Sequence, residues 1–164
     1  MTVTLRLESS ADEAFLRHLI VETVAEEWGA VAWPEPMRSH LLEVQYAARR
    51  QSRRVDFPDA TGRVIQADEE SAGWVVTASL PHEMHIVDIM ILPKMRGRGI
   101  GTAAIQTVLS TAAHAGKPVR LSVNRMNRGA TRLYERLGFR KIGEDEGQYF
   151  MERDLTTITP RRRR

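Results

Sequence analysis

The segment RGRGIG (residues 96–101) lies between an apolar run, HIVDIMIL (residues 85–92), and an alanine-rich segment with helical periodicity. Its three glycines allow the main chain to approach a ligand without a Cβ atom in the way. The first amides of a helix have no intrahelical partners and lie at its positive end, so they bind anions. Two arginines add donors that suit phosphate oxygens. The segment predicts a phosphate site; the alternative is a glycine-rich turn with solvated arginines.

The identity of the phosphate ligand is a separate question. Gly99-x-Gly101-x-x-Ala104 satisfies the loose dinucleotide pattern, which would indicate a nicotinamide-dependent reductase. That pattern expects an acidic residue about 20 positions later, and the sequence has SVNR there instead. The chain after Gly101 is also short for a doubly wound sheet with a substrate domain. No Gly-Lys-Ser/Thr follows the glycines, which excludes a P-loop.

The composition is typical of a soluble globular protein. The 164 residues are 42% hydrophobic and 27% charged, so we expect a single domain over residues 1–158. Zero cysteines exclude disulfides, thiolate metal sites and a cysteine nucleophile, and the histidines are too few and wrongly spaced for a metal site. The longest apolar run is interrupted by Asp88 and is far shorter than a bilayer span of about 20 residues. Because no secretory signal is visible, we expect a cytoplasmic protein that does not bind membranes.

The basic character belongs to the end of the chain. The net charge is +3, but without the four arginines at 161–164, 20 basic residues remain against 21 acidic ones, a balance of −1. Residues 159–164 are therefore predicted to be a basic, disordered tail. Nucleic-acid binding by the folded part is not expected, although a tail that binds RNA, DNA or an acidic partner stays open.

Hydrophobic periodicity predicts the element order β-α-α-β-β-β-α-β-α-β around one central sheet. A capping box, Ser10 to Glu13, is expected to open the first helix. The second helix is expected from about Met37, with one apolar stripe: Met37, Leu41, Val44, Ala48. The strand at 85–92 is apolar on both faces, as at the centre of a sheet. A helix over 102–115, a strand at 119–123 and a helix over 127–139, capped by Asn127, follow.

Two motifs together resemble the GNAT superfamily of N-acetyltransferases. The first is Arg96-x-x-Gly99-x-Gly101 after an apolar strand, and the second is Asn127-x-x-Ala130-x-x-Leu133-Tyr134-x-x-Leu137-Gly138-Phe139. The close resemblance covers residues 85–142, and the first 84 residues match only in element order. It implies an α/β (α+β) fold with a GNAT-like mixed central sheet. Six to seven strands would be flanked by about four helices, with a splay between strands 85–92 and 119–123.

The same resemblance implies where acetyl-CoA, the co-substrate, would bind. Backbone groups near Ile91 and Leu92 would pair with the pantetheine amides and polarise the thioester carbonyl. Asn127 would contact the pantetheine arm, and Tyr134 would direct its hydroxyl towards the sulfur as general acid; the alternative for Tyr134 is a core aromatic. The loop and the first helical turn would bind the pyrophosphate through the residues Arg96, Gly97, Arg98, Gly99, Ile100, Gly101 and Thr102.

Asp88 is an ionisable residue within an otherwise apolar strand. A carboxylate there is costly unless it is paired or functional. Our hypothesis is that Asp88 is the general base, with a pKa raised by burial. The alternative is a structural carboxylate that caps a loop or pairs with an arginine.

The chemistry requires a neutral amine and protonation of the leaving thiolate. Without a cysteine nucleophile, direct acetyl transfer to a primary amine within a ternary complex is expected. The acceptor would be a small molecule or a peptide; tryptophans at 28 and 33 could line its pocket or simply pack. A homodimer is compatible with the sequence. The alternatives are the reductase and a regulator that binds acyl-CoA or nucleic acid without turnover.

Overall fold

The computed structural model describes residues 1–155, so the predicted tail at 159–164 lies outside the described residues. The described chain forms seven strands and four α-helices in one sequence of elements. These are β1 (Val3–Leu7), α1 (Glu13–Glu27), α2 (Met37–Asp56), β2 (Thr61–Ala67), β3 (Glu70–Ser79), β4 (Met84–Ile91), α3 (Ile100–His114), β5 (Val119–Asn124), α4 (Arg128–Arg136), β6 (Arg140–Glu144) and β7 (Gln148–Arg153).

The strands form one mixed sheet in the order β1-β2-β3-β4-β5-β7-β6, which confirms the predicted fold class. β4 and β5 are parallel, whereas β1 with β2, β2 with β3, and β7 with both β5 and β6 are antiparallel. The parallel ladder runs from Met84 opposite Val119 to Ile86 opposite Leu121. Both strands continue beyond this ladder, β4 to Ile91 and β5 to Asn124.

β6 was not among the predicted strands. It lies at the edge of the sheet, and four of its five residues are exposed, including Ile142. A strand that is polar on both faces has no alternating pattern, which is why periodicity did not reveal it.

The described chain divides into two compact units. The first contains residues 1–78 and 87–104, and the second contains residues 79–86 and those from 105 onwards. The core of the first unit is built from fully buried side chains of α1, β2 and β3. They include Leu16, Leu19, Ile20, Val64, Ile65, Trp74, Val75 and Val76. The expectation of a single domain over 1–158 stays a prediction.

The predicted apolar stripe of α2 is wrong as a core face. Met37, Leu41 and Val44 are 48%, 36% and 47% exposed, and the buried residues of α2 are Leu42 and Tyr46. The Tyr46 hydroxyl donates to Glu13 at the start of α1, which turns this face inwards. Because α2 carries apolar residues on two faces, its periodicity alone does not say which one packs.

The entry to α1 is fixed by Asp12, one residue earlier than the predicted capping box. The Asp12 carboxylate accepts the backbone N–H of Ser9 at 2.8 Å. It also accepts two hydrogen bonds from the Arg6 guanidinium, at 2.6 and 2.9 Å. These bonds hold the pKa of Asp12 well below its usual range. The capping box is therefore Ser9 to Asp12, and it joins β1 to the first helix.

Replacing this carboxylate should destabilise the protein. We expect Asp12→Ala to lower the free energy of unfolding by about 2 kcal/mol, since a cap and a charge-assisted hydrogen bond are lost together. That corresponds to a fall in Tm of about 4–8 °C, measured by thermal denaturation at pH 7. Because the folded-state pKa is depressed, this stabilisation is present above about pH 4 and is lost as the pH falls further.

The matched control is Glu43→Ala, which breaks the exposed ion pair between Glu43 and Arg17. Exposed pairs contribute about 0–1 kcal/mol, so its Tm should change little. Equal changes in Tm for both variants at pH 7 would show that Asp12 has no special role.

Candidate functional site

The glycine-rich segment forms the turn between β4 and α3. A short 3-10 turn, Pro93–Met95, follows β4, and α3 begins at Ile100. Gly97 and Gly99 have φ angles of +73° and +81°, in the left-handed region that disfavours other residues. A Cβ atom added at either position would have no protein atom within 4 Å. These two glycines therefore determine the backbone conformation of the turn, and the space next to them is not filled by protein atoms.

The amides of this turn are available to a ligand. The Ala103 amide donates to the Gly99 carbonyl at 3.0 Å and starts the helical hydrogen-bond series of α3. Within residues 1–155, the amides of residues 97–102 have no hydrogen-bond acceptor in the structure. A run of unpaired amides at a helix N-terminus is the arrangement that binds phosphate oxygens.

The two arginines of the segment have different surroundings. The Arg96 side chain donates from Nε to the Ile91 carbonyl at 3.1 Å and pairs with Glu26 of α1. It thereby joins the loop to α1 and to the end of β4. Arg98 is exposed, and the described part of the chain offers it no ion-pair partner. The assignment of both arginines to the pyrophosphate stays a prediction.

The end of β4 is also partly engaged within the protein. The Leu92 amide donates to the Ala72 carbonyl at 2.9 Å, and the Ile91 carbonyl accepts from Arg96. The Leu92 carbonyl in turn accepts the Met95 amide at 2.8 Å. The expected pairing of Ile91 and Leu92 with a pantetheine arm stays a prediction.

Asp88 lies on β4 next to charged groups from α1 and α2. Its side chain is 26% exposed, and Oδ2 is 4.0 Å from Nη1 of Arg49. Burial raises the pKa of Asp88 above its usual value, while the positive charge of Arg49 opposes this shift. Burial thus favours the protonated form of this carboxyl, and its role as the general base stays a prediction.

Arg49 and Glu27 lie beside Asp88 and were not predicted from the sequence. Nη2 of Arg49 is 3.9 Å from Oε2 of Glu27, so the guanidinium lies between two carboxylates. The only sequence signal was the arginine cluster at 49–54, which does not say which of its members reaches β4.

The second unit holds Asn127 and Tyr134. Asn127 is the N-cap of α4, as predicted, and its Oδ1 accepts the Ala130 amide at 3.0 Å. The Tyr134 side chain is buried and packs edge-on against Phe139, with ring centroids 5.7 Å apart. The structure thus gathers Asp88, Ile91, Leu92 and the loop in the first unit, and Asn127 and Tyr134 in the second.

Residues 20–139 match the sequence model of a family described as the acetyltransferase (GNAT) family. The chain belongs to the GNAT family. As a GNAT protein it is 38% identical, over 102 residues, to a thialysine N-epsilon-acetyltransferase from Mus musculus. That alignment covers 56% of this chain and 60% of the relative, so the chain spans about three fifths of the relative's length. The family assignment favours the acyl-CoA interpretation of the glycine loop over the dinucleotide one.

Solved structures show the same fold. The PaiA N-acetyltransferase from Thermoplasma acidophilum, solved with coenzyme A, has a TM-score of 0.72 at 18% identity, covering 94% of this chain and 99% of that one. The ribosomal-protein-S18-alanine N-acetyltransferase from Escherichia coli has a TM-score of 0.66 at 18% identity, covering 98% of both chains. Within residues 1–155, no helix is long and apolar enough to cross a membrane.

Proposed function

We propose that this GNAT protein transfers an acetyl group from acetyl-CoA to a primary amine by direct attack in a ternary complex. The observation that carries the proposal is the run of unpaired amides at residues 97–102, at the start of α3. The exposed Arg98 adds a positive charge beside them. This donor set fits a diphosphate, which needs several N–H donors and charge neutralisation in a small volume.

The residues of the chain have separate tasks in this proposal. Acetyl-CoA supplies the activated acetyl group as a thioester. Asp88 takes a proton from the acceptor ammonium, directly or through water, so that the amine is neutral when it attacks. Its raised pKa suits this task, since a base works best when its pKa lies near the working pH. Tyr134 donates its hydroxyl proton to the leaving sulfur, and the second proton that the amine nitrogen loses as the amide forms returns to the Tyr134 oxygen. Asn127 contacts the pantetheine arm.

The acceptor is proposed to be a primary amine on a small molecule or a peptide. Two carboxylates, Asp88 and Glu27, lie on either side of Arg49 and favour a cationic group. The name of the mouse relative also describes acetylation of a side-chain amine. The proposed location is the cytoplasm, and the proposed assembly is a homodimer.

The activity is tested by following free thiol release from acetyl-CoA in the presence of a panel of amines. The panel contains polyamines, lysine-type amino acids, aminoglycosides and peptides with free N-termini. Amine-dependent thiol release, with the acetylated product seen by mass spectrometry, is the expected result. Tight binding of acetyl-CoA without release for any amine would favour the non-catalytic regulator instead.

The loop can be tested with one glycine. We expect Gly99→Val to raise the Kd for acetyl-CoA at least 10-fold, because a β-branched residue resists φ of +81° and its side chain would enter the space assigned to the diphosphate. Calorimetric titration measures this change. The matched control is Gly116→Val, beyond the other end of α3, where φ is +65° and the space is equally open. The same loss of affinity in both variants would mean that the loop is not the diphosphate site.

A further inference from the structure

Arg49 differs from its neighbours in the arginine cluster by what it contacts. The Arg53 guanidinium is 3.3 Å from Glu8 and lies 4.7 Å from the ring centroid of Trp74. Arg50 lies between Glu8 and Glu13. These two arginines therefore pair with a cluster of carboxylates at the end of β1, and Arg53 acts on the carboxyl of Asp88 only from a greater distance.

Arg49 instead lies between the two carboxylates of the proposed acceptor site. Its guanidinium is 4.0 Å from Asp88 and 3.9 Å from Glu27, and Nη1 is 3.6 Å from Sδ of Met90. About a third of its side chain is exposed, at 35%. Neither carboxylate is within 3.5 Å, so Arg49 acts on both as a nearby charge rather than as a fixed hydrogen-bond partner.

We propose that Arg49 is a positioning residue that keeps Asp88 ionised for proton abstraction, and that Glu27 opposes it by sharing its charge. The inference rests on the proposed function, because it concerns the base of that same reaction. A half-buried carboxylate needs a cation nearby to stay charged at neutral pH, and Arg49 is the nearest one. The carboxylate of Glu27, on the other side of the same guanidinium, weakens the stabilisation of ionised Asp88 by Arg49.

Charged groups from two helices act on Asp88. From α2, Arg49 and Arg53 favour the ionised form, and from α1, Glu27 disfavours it. On β4 itself, the Ile89 amide stabilises the carboxylate. The two variants should therefore move the pKa of Asp88 in opposite directions. Without Arg49 less positive charge opposes the effect of burial, so the pKa of Asp88 rises. Without the charge of Glu27 the pKa of Asp88 falls.

The experiment measures kcat/KM against pH for wild type, Arg49→Met and Glu27→Gln with one acceptor amine. The acid limb is the part of the profile in which kcat/KM falls towards low pH. Because the same amine is used for all variants, differences between their acid limbs reflect ionisation of groups on the enzyme. Arg49→Met should move the acid limb up by about one pH unit, which is a tenfold loss of kcat/KM below the limb. Glu27→Gln should move the limb down, and Arg49→Lys should stay close to wild type. The control, Arg54→Met, removes a charge from the same helix and should leave the limb unchanged.

The outcomes separate this inference from the proposed function. If Asp88→Asn removes the acid limb but Arg49→Met leaves the limb of wild type in place, only the role of Arg49 is wrong. If Asp88→Asn also keeps the limb, the assignment of the base is wrong. If circular dichroism shows that Arg49→Met does not fold, the Glu27→Gln variant is the test, because the Glu27 side chain is about half exposed. An acid limb that does not move to lower pH in Glu27→Gln overturns the proposal.

Discussion

Asp88→Asn is expected to lower kcat by about 10²- to 10⁴-fold, the usual contribution of a positioned general base. Asparagine keeps the shape of the side chain but cannot take the proton of the acceptor ammonium. Calorimetry should show nearly unchanged acetyl-CoA binding, because the amides at 97–102 are untouched. The acid limb of the rate–pH profile should disappear. A profile that stays the same would identify Asp88 as a structural carboxylate paired with Arg49.

Stability provides the control for this variant. Burial raises the pKa of Asp88, so the folded state holds the proton more tightly than the unfolded state. Stability is therefore lost as the pH rises from the unfolded-state pKa through the folded-state pKa. Above both, the ionised carboxylate destabilises the protein, and Asp88→Asn should have a Tm equal to or higher than wild type. A low kcat with an unchanged Tm in Asp88→Asn would therefore show that the catalytic step is impaired while the fold is retained.

Tyr134→Phe is expected to lower kcat by about 10²-fold or more, since the leaving sulfur loses its proton donor. The ring still packs edge-on against Phe139, so the Tm and the Kd for acetyl-CoA should stay close to wild type. Steady-state kinetics and calorimetry on the same preparation measure the two effects.

The matched control for this variant is Tyr149→Phe on β7. The ring of Tyr149 lies under the cations of Arg125 and Lys141, and loss of its hydroxyl should leave kcat unchanged. If Tyr134→Phe weakens acetyl-CoA binding strongly while kcat stays normal, Tyr134 is a packing residue of the binding surface and not the acid.

Features of the site that depend on residues adjacent in the chain could be predicted from the sequence. The glycines at 97 and 99 and the N-cap at Asn127 depend on local backbone geometry, which short motifs specify, and the structure has them as expected. The order of apolar segments predicted one central sheet, and the resemblance to the GNAT superfamily implied that this sheet is mixed. β6 was missed because its residues are mostly exposed on both faces.

Contacts between distant segments could not be predicted in the same way. As phosphate donors Arg96 and Arg98 are equivalent in the sequence, yet Arg96 contacts Glu26, which lies 70 positions earlier in the chain. The inward face of α2 is decided by the bond between Tyr46 and Glu13. The placement of Arg49 between Glu27 and Asp88 likewise requires three elements to be assembled.

In the proposed function, the amides of residues 97–102 bind the diphosphate of acetyl-CoA. Calorimetric titration of the wild-type protein with CoA, pantetheine and NADH measures this binding. We expect saturable binding of CoA, affinity at least 100-fold weaker for pantetheine, which lacks the diphosphate, and no displacement of CoA by NADH. No heat with CoA at millimolar concentration, together with clear binding of NADH, would contradict it.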